Sequence, residues 1–203
     1  MKNLTKTLFA ALVAAVVLTS SAATTFAAEP VKMETSALSA KDVTRIRVSG
    51  NVRVILTQGS KEQVVGTSNY DPANTSVMTD GRTIFINSAE PGLVTLSITV
   101  KDLQRVEAFG NSVVVTSNNF DVKNLQVFLN DNATANIKTT AESLYTVIND
   151  DAKLKLNGKA DESTMITSKM KNVRLAKFSS DKSELYASEA IMNAHETALA
   201  RTK

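Results

Sequence analysis

The chain has no cysteine and no tryptophan, only one histidine, and few prolines. Without cysteine it forms no disulfide, so if it is exported its fold is held by its core alone, and no N-terminal cysteine can be lipid-modified. A lone histidine, His195, could anchor a zinc site only with carboxylates as every other ligand. No GxSxG motif stands with it to suggest a nucleophile. Past the first 27 residues the aromatics are Phe85, Phe109, Phe120, Phe128, Phe178 and three tyrosines, so stacking platforms for sugars or bases have little to be built from.

Charge of one sign is also missing. The formal net charge is +3, but Lys2 and Lys6 lie in the N-terminal leader, and the rest balances 21 basic against 20 acidic residues. Along the chain the two signs are interleaved rather than gathered on one segment, which argues against a phosphate-tracking surface and against nucleic acid as a partner.

The one long apolar run opens the chain. Lys2 and Lys6 precede Leu8–Leu18, and small residues follow to Thr25-Phe26-Ala27. This is the pattern of a secretory signal peptide, residues 1–27, cut after Ala27. The run is well short of the roughly 20 apolar residues that span a bilayer, so no transmembrane segment is expected in the mature chain. The expected location is therefore exported: periplasm, cell surface or secreted. Residues 28–43 are polar and unpatterned and read as a leader into a single domain, 44–203.

That domain reads as all-β. Alternation marks Thr44–Val48, Val52–Thr57, Gln63–Thr67, Arg82–Ile86 and Leu93–Val100, with breaks at Asn69-Tyr70-Asp71-Pro72 and Ala89-Glu90-Pro91-Gly92. The second half carries a period. Corners at Asn111, Asn130, Asn149, Ser168 and Ser188 are 19, 19, 19 and 20 residues apart. Alternating runs follow them, such as Ala133, Ala135, Ile137 and Ala152, Leu154, Leu156, with Lys138, Lys153, Lys155 and Arg174 on the other parity. A fixed period near 20 with short strands predicts a right-handed parallel β-helix-like solenoid of about five stacked coils. The tail from Ser183 to Met192 is rich in helix formers and is open to a second reading, as a C-terminal helix.

The stretches VSGNVRVILTQGSKEQVVG from Val48, Asn69, GRTIFI from Gly81 and ITVKDLQRVEAFGNSVVV from Ile98 resemble the GIN domain, the family of autotransporter adhesin heads common in Bacteroidetes. The resemblance runs from about Thr44 to at least Ala176 and implies stacked β-strands with short Ser-Gly or Asn-Asp corners. This chain has Gly110-Asn111, Asn130-Asp131 and Asn149-Asp150 where Ser-Gly is usual, and Ser168-Lys169-Met170-Lys171 lacks glycine altogether. The family brings no catalytic residues to carry over.

The candidate binding residues are the corners Asn130, Asp131, Asn149, Asp150 and Asp151. Stacked one strand spacing apart, their oxygens could hold Ca²⁺, although the spacing matches neither an EF-hand nor a Gly-rich calcium repeat. Asn and Asp also simply make good corners, because they tolerate left-handed backbone and bond to neighbouring main chain, and that reading is preferred. No catalytic residue, metal or cofactor is expected. The expected function is a non-enzymatic envelope or surface module for adhesion or ligand binding, with a glycan or an envelope or surface protein as partner. Two other roles stay open: a carbohydrate-active enzyme using carboxylates such as Asp161 and Glu162, and a structural protein that self-associates through an open end of its stack.

Overall fold

The computed structural model describes residues 35–36 and 42–187. Among them thirteen strands form one sheet. In chain order they are β1 (Thr35–Ser36), β2 (Arg45–Gly50), β3 (Val52–Gln58), β4 (Gln63–Ser68), β5 (Thr75–Asp80), β6 (Thr83–Ser88) and β7 (Val94–Val100). Then come β8 (Arg105–Ala108), β9 (Val113–Thr116), β10 (Phe120–Leu129), β11 (Thr134–Ile148), β12 (Lys153–Thr167) and β13 (Val173–Ala187), with a 3₁₀ turn at Met170–Asn172 before β13. The predicted strands of the first half are all present within a residue or two of their expected ends.

β2, β6, β8 and β10 lie side by side, as do β7, β3, β9 and β11, and every pair among these is parallel. β11, β12 and β13 continue the parallel stack. The 19-residue period is the register of this stack: Leu129 pairs with Ile148, and Thr134 with Lys153. It lengthens to 20 after Lys155, where β13 carries an extra residue.

The expected right-handed parallel β-helix solenoid does not form. The sheet is mixed and curls into a half-barrel. β4 runs antiparallel to both β1 and β7, and β5 returns antiparallel on β6 through the tight Gly81-Arg82 turn. The period was a true signal of pairing between neighbours, but not of a closed coil. Each repeat holds one tight corner and one long strand. β11 and β12 run for 15 residues each without the further corners that a coil requires.

The curl has a visible cause in the inward positions. Along β11 they are Ala135, Ile137, Thr139 and Ala141, and then the phase slips to Leu144, Thr146 and Ile148. β10 slips between Val122 and Leu125, and β12 between Ala160 and Ser163. The three slips align, since Val122 pairs with Ala141 and Ala141 with Ala160. Strand side chains alternate strictly between faces, so one extra residue at the same level in adjacent strands re-aims their second halves onto the same core. That core is a single cluster including Ile46, Leu56, Leu96, Phe120, Leu129 and Leu154.

Gln58 ties the sheet together at the far end of β3. Its side-chain Nε2 donates to the carbonyls of Lys101 and Asp121, at 3.1 and 3.0 Å, and its Oε1 accepts from the Asp121 N–H at 2.8 Å. Its main chain exchanges two further hydrogen bonds with the Asn118 amide.

The tail extends β13 through Ser183–Ala187 as strand rather than helix. Residues 188–203, with His195 and the last corner at Ser188, lie outside the described residues, as does the signal segment 1–27. β1 falls within the segment expected to be a leader. Among the described residues no helix is long and apolar enough to cross a membrane.

Candidate binding surface

The corners between β10 and β11 and between β11 and β12 hold Asn130, Asp131, Asn149, Asp150 and Asp151, and the structure brings all five together on one edge. Asp131 and Asp150 occupy left-handed backbone, at φ 58° and 54°. Gly110, one rung earlier, does the same at φ 65°, and its Cα side faces Gly50 in the corner between β2 and β3. The left-handed residue is what reverses the chain here, and Asn, Asp and Gly are the residues that adopt it at least cost.

Each corner is bonded to the one before it. Asp131 Oδ2 accepts from the Gly110 N–H at 2.9 Å, and Asp150 Oδ2 accepts from the Asp131 N–H at 3.1 Å. Asn149 Nδ2 donates to Asn130 Oδ1 at 2.9 Å. Main-chain bonds run alongside, from Asn132 N–H to Gly110 O and from Asp151 N–H to Asp131 O. One oxygen of each carboxylate is thereby committed to backbone.

Asp151 points to the next turn, where its Oδ1 takes Lys169 Nζ at 2.7 Å. The Lys169 hydrogen bond and charge, with smaller help from Lys171 and Lys153, hold this carboxyl below its ordinary value. The residue Ser168-Lys169-Met170-Lys171 uses in place of an Asn-Asp pair is thus a cation that reaches back to the preceding corner. Among the described residues no three or more His, Asp or Glu side chains cluster in a metal-binding arrangement. Asp161 and Glu162 are both exposed on β12, and Glu162 pairs with Lys182 at 2.7 Å.

Beside these corners lies an open groove of about 330 Å³ on the outer face of β11, β12 and the start of β13. Lys153, Lys155, Lys171 and Arg174 line it, with Asn136 and Asn172 between them. Sequence reasoning placed Lys153, Lys155 and Arg174 on the outward parity, where the structure leaves them exposed, but it did not bring them together as a site. The signal for that lay across strands, in which residues the 19-residue register sets side by side.

The family described as "Putative auto-transporter adhesin, head GIN domain" matches residues 42–197. The chain belongs to this family. The GIN domain here is all-β. Among solved structures, a "putative adhesin" from Bacteroides fragilis NCTC 9343 is similar at TM-score 0.61 and 16% identity, over 78% of this chain and 77% of that one. A "putative lipid binding protein" from Parabacteroides distasonis ATCC 8503 matches at TM-score 0.57 and 12% identity, over 76% and 78%. A "putative adhesin" from Parabacteroides merdae ATCC 43184 matches at TM-score 0.53 and 15% identity, over 77% and 78%. At these identities the likeness is one of fold. The comparison with curated proteins found no match.

Proposed function

We infer that this GIN domain is an adhesion or ligand-binding module of the cell envelope, released from a signal peptide at residues 1–27 and carried by one domain over 44–203. Its family membership across residues 42–197 carries the reading. The site chemistry supports it: Asp131 and Asp150 each commit a carboxylate oxygen to a backbone N–H of the preceding corner, and Asp151 pairs with Lys169. The outward positions at the start of β11, β12 and β13, Thr134, Asn136, Lys138, Lys153, Lys155 and Arg174, are polar or charged, suited to extended contact with a glycan or an envelope protein.

Protease shaving of intact cells that carry an epitope-tagged copy tests this. Loss of the tag on shaving, without lysis, is the expected result for a surface module. A tag that survives shaving and fractionates with the periplasm removes adhesion and leaves an envelope-internal binding role.

Self-association is a second reading with an observation of its own. Among the described residues β13 is hydrogen-bonded on one side only, to β12, and it exposes Leu185 and Tyr186. A free strand edge of that length is a template for pairing with another chain. Light scattering on the purified protein separates monomer from assembly.

A further inference from the structure

We propose that the outer face of the sheet formed by β7, β3, β9 and the first halves of β11, β12 and β13 is a binding face for an acidic polysaccharide, centred on Lys153, Lys155, Lys171 and Arg174. The proposal rests on the ligand-binding reading above and names the chemical class of the ligand.

Charge that is interleaved along the chain is segregated in space. The segments β7, β3, β9, Thr134–Lys138, Lys153–Asn157 and Val173–Lys177 contain no aspartate or glutamate at any position. Arg53, Lys138, Lys153, Lys155, Arg174 and Lys177 all stand exposed on them. The ion pairs lie elsewhere. Among the described residues Arg47 and Arg105 pair with Glu107, Lys123 with Glu142 and Lys182 with Glu162, on β2, β8, β10 and the second halves of β11, β12 and β13, while Lys169 pairs with Asp151 at the corner. Asp151, at the corner that leads into β12, is already engaged by Lys169, a cation that does not line the groove.

The cations are set together against their own repulsion. The register places Lys155 directly beside Arg174 on the neighbouring strand, and like charges so opposed are destabilising. Lys171 is brought to the same groove by the 3₁₀ turn that replaces the Asn-Asp corner of the earlier rungs. Lys138 and Lys177 flank Asn157 one step further along the strands, so the positive track runs from Lys153 for about 13 Å at the usual rise per residue. A bound polyanion offsets this repulsion along the whole track, which a single small anion does not.

The surroundings favour a glycan over a lipid surface. The groove is edged by Thr134, Asn136 and Asn172, groups that exchange hydrogen bonds with hydroxyls, and among the described residues none of the exposed large hydrophobic side chains, Met78, Leu93, Met170, Leu185 and Tyr186, lines it. The groove is open rather than enclosed by aromatic walls, so recognition comes from charge with amide and hydroxyl contacts, and the affinity is salt-sensitive.

The test is binding of the purified mature chain to dextran sulfate, polygalacturonate and uncharged dextran, and to vesicles of an anionic phospholipid, at two salt concentrations. The expected result is binding to both acidic polymers and not to dextran, weakened about tenfold or more by a fourfold rise in salt, as release of three or four counterions gives. The triple variant Lys153→Gln, Lys155→Gln, Arg174→Gln should lose at least about tenfold in affinity by the same reasoning, while Lys123→Gln with Lys182→Gln on the other face changes nothing. Because the triple variant relieves the opposed charges, its thermal midpoint should equal or exceed that of the parent, which guards against loss by misfolding. Equal binding to dextran, an unaffected triple variant, or binding to vesicles in preference to the acidic polymers overturns the proposal. The surface reading is judged separately by protease shaving, so either can fail alone.

Discussion

Asp150 accepts a hydrogen bond from the backbone N–H of Asp131, 19 residues earlier, through Oδ2 at 3.1 Å, while its own backbone sits at φ 54°. One side chain thus performs two tasks: it permits the left-handed turn and it fastens that turn to the rung before. Asp150→Ala removes the bond and places a residue with no local hydrogen bonding in left-handed backbone. It should cost about 1–2 kcal/mol, the N–H being exposed enough for water to replace part of the loss. Asp150→Asn keeps an acceptor and the turn preference and should cost less than about half of that. Urea unfolding of both variants checks the order; parity of the two would show that the corner does not depend on the side chain.

The same substitution on one strand should act with opposite sign at two threonines. Thr146 is fully buried, and its hydroxyl has no partner among the described residues. Thr146→Val should raise stability by about 1 kcal/mol, because an unsatisfied buried hydroxyl is exchanged for a methyl of similar shape. Thr139 is equally buried but donates to the Phe120 carbonyl at 2.8 Å. Thr139→Val should lower stability by about 1–2 kcal/mol, since it leaves that carbonyl short of a donor. Denaturant midpoints with unchanged slopes decide both.

Gly158 and Gly110 both have positive φ, yet they should tolerate alanine very differently. A Cβ at Gly158 meets the backbone carbonyl oxygen of Thr139 at 1.9 Å, at φ 103°, whereas one at Gly110 has Gly50 N as its nearest neighbour, at 3.4 Å. Gly158→Ala must push apart two strands at the centre of the stack and should cost about 4 kcal/mol or more, which for many domains means failure to fold. Gly110→Ala should cost only the left-handed preference, about 1 kcal/mol. Soluble yield and thermal melting of the two variants, side by side, test the contrast.

The pair Asp151–Lys169 predicts a dependence on pH. The folded-state pKa of Asp151 lies below the ordinary 3.8, chiefly because Lys169 hydrogen-bonds the carboxylate and secondly because of its charge. A depressed carboxyl pKa contributes stability that is fully present above the unfolded value and is lost as pH falls through the folded one. The midpoint difference between the parent and Asp151→Asn should therefore be full above about pH 4 and fade as the pH falls through the lower folded-state value. Because both groups are in solvent, the difference should be small and shrink further in high salt. Thermal melts from pH 2 to 6 at two ionic strengths measure it; a difference that grows towards acid would contradict the assignment.

How far the chain could be read without coordinates depended on whether a feature is local. Val52–Gln58 and Val94–Val100 alternate cleanly because one face is core and the other is solvent, so their strands were legible. β5 was missed because Thr75–Asp80 is an edge strand with one buried residue, Thr75, and lacks an apolar rhythm. Asn130-Asp131 and Asn149-Asp150 announced the register, since a corner falls where a residue such as Asp131 or Asp150 takes left-handed backbone. What they could not announce was closure. Whether a periodic stack becomes a coil or a curled sheet turns on the aligned slip near Glu142 and on β4 and β5 running the other way, neither of which alters the period. The positive face escaped notice for a related reason: Lys155 and Arg174 are 19 positions apart in sequence and side by side in the fold.

The register also orders events in time. From β8 onward each parallel pairing joins residues about 20 positions apart, as Val113 with Thr134 or Thr134 with Lys153, whereas β3 meets β9 only by joining Arg53 to Val113, 60 positions on. Closing the longer loop costs about 1 kcal/mol more in chain entropy, and slow folding follows from such distant pairings. The C-terminal rungs should therefore zip together first and serve as the template on which β3 and β7 dock, the reverse of the order in which synthesis delivers them.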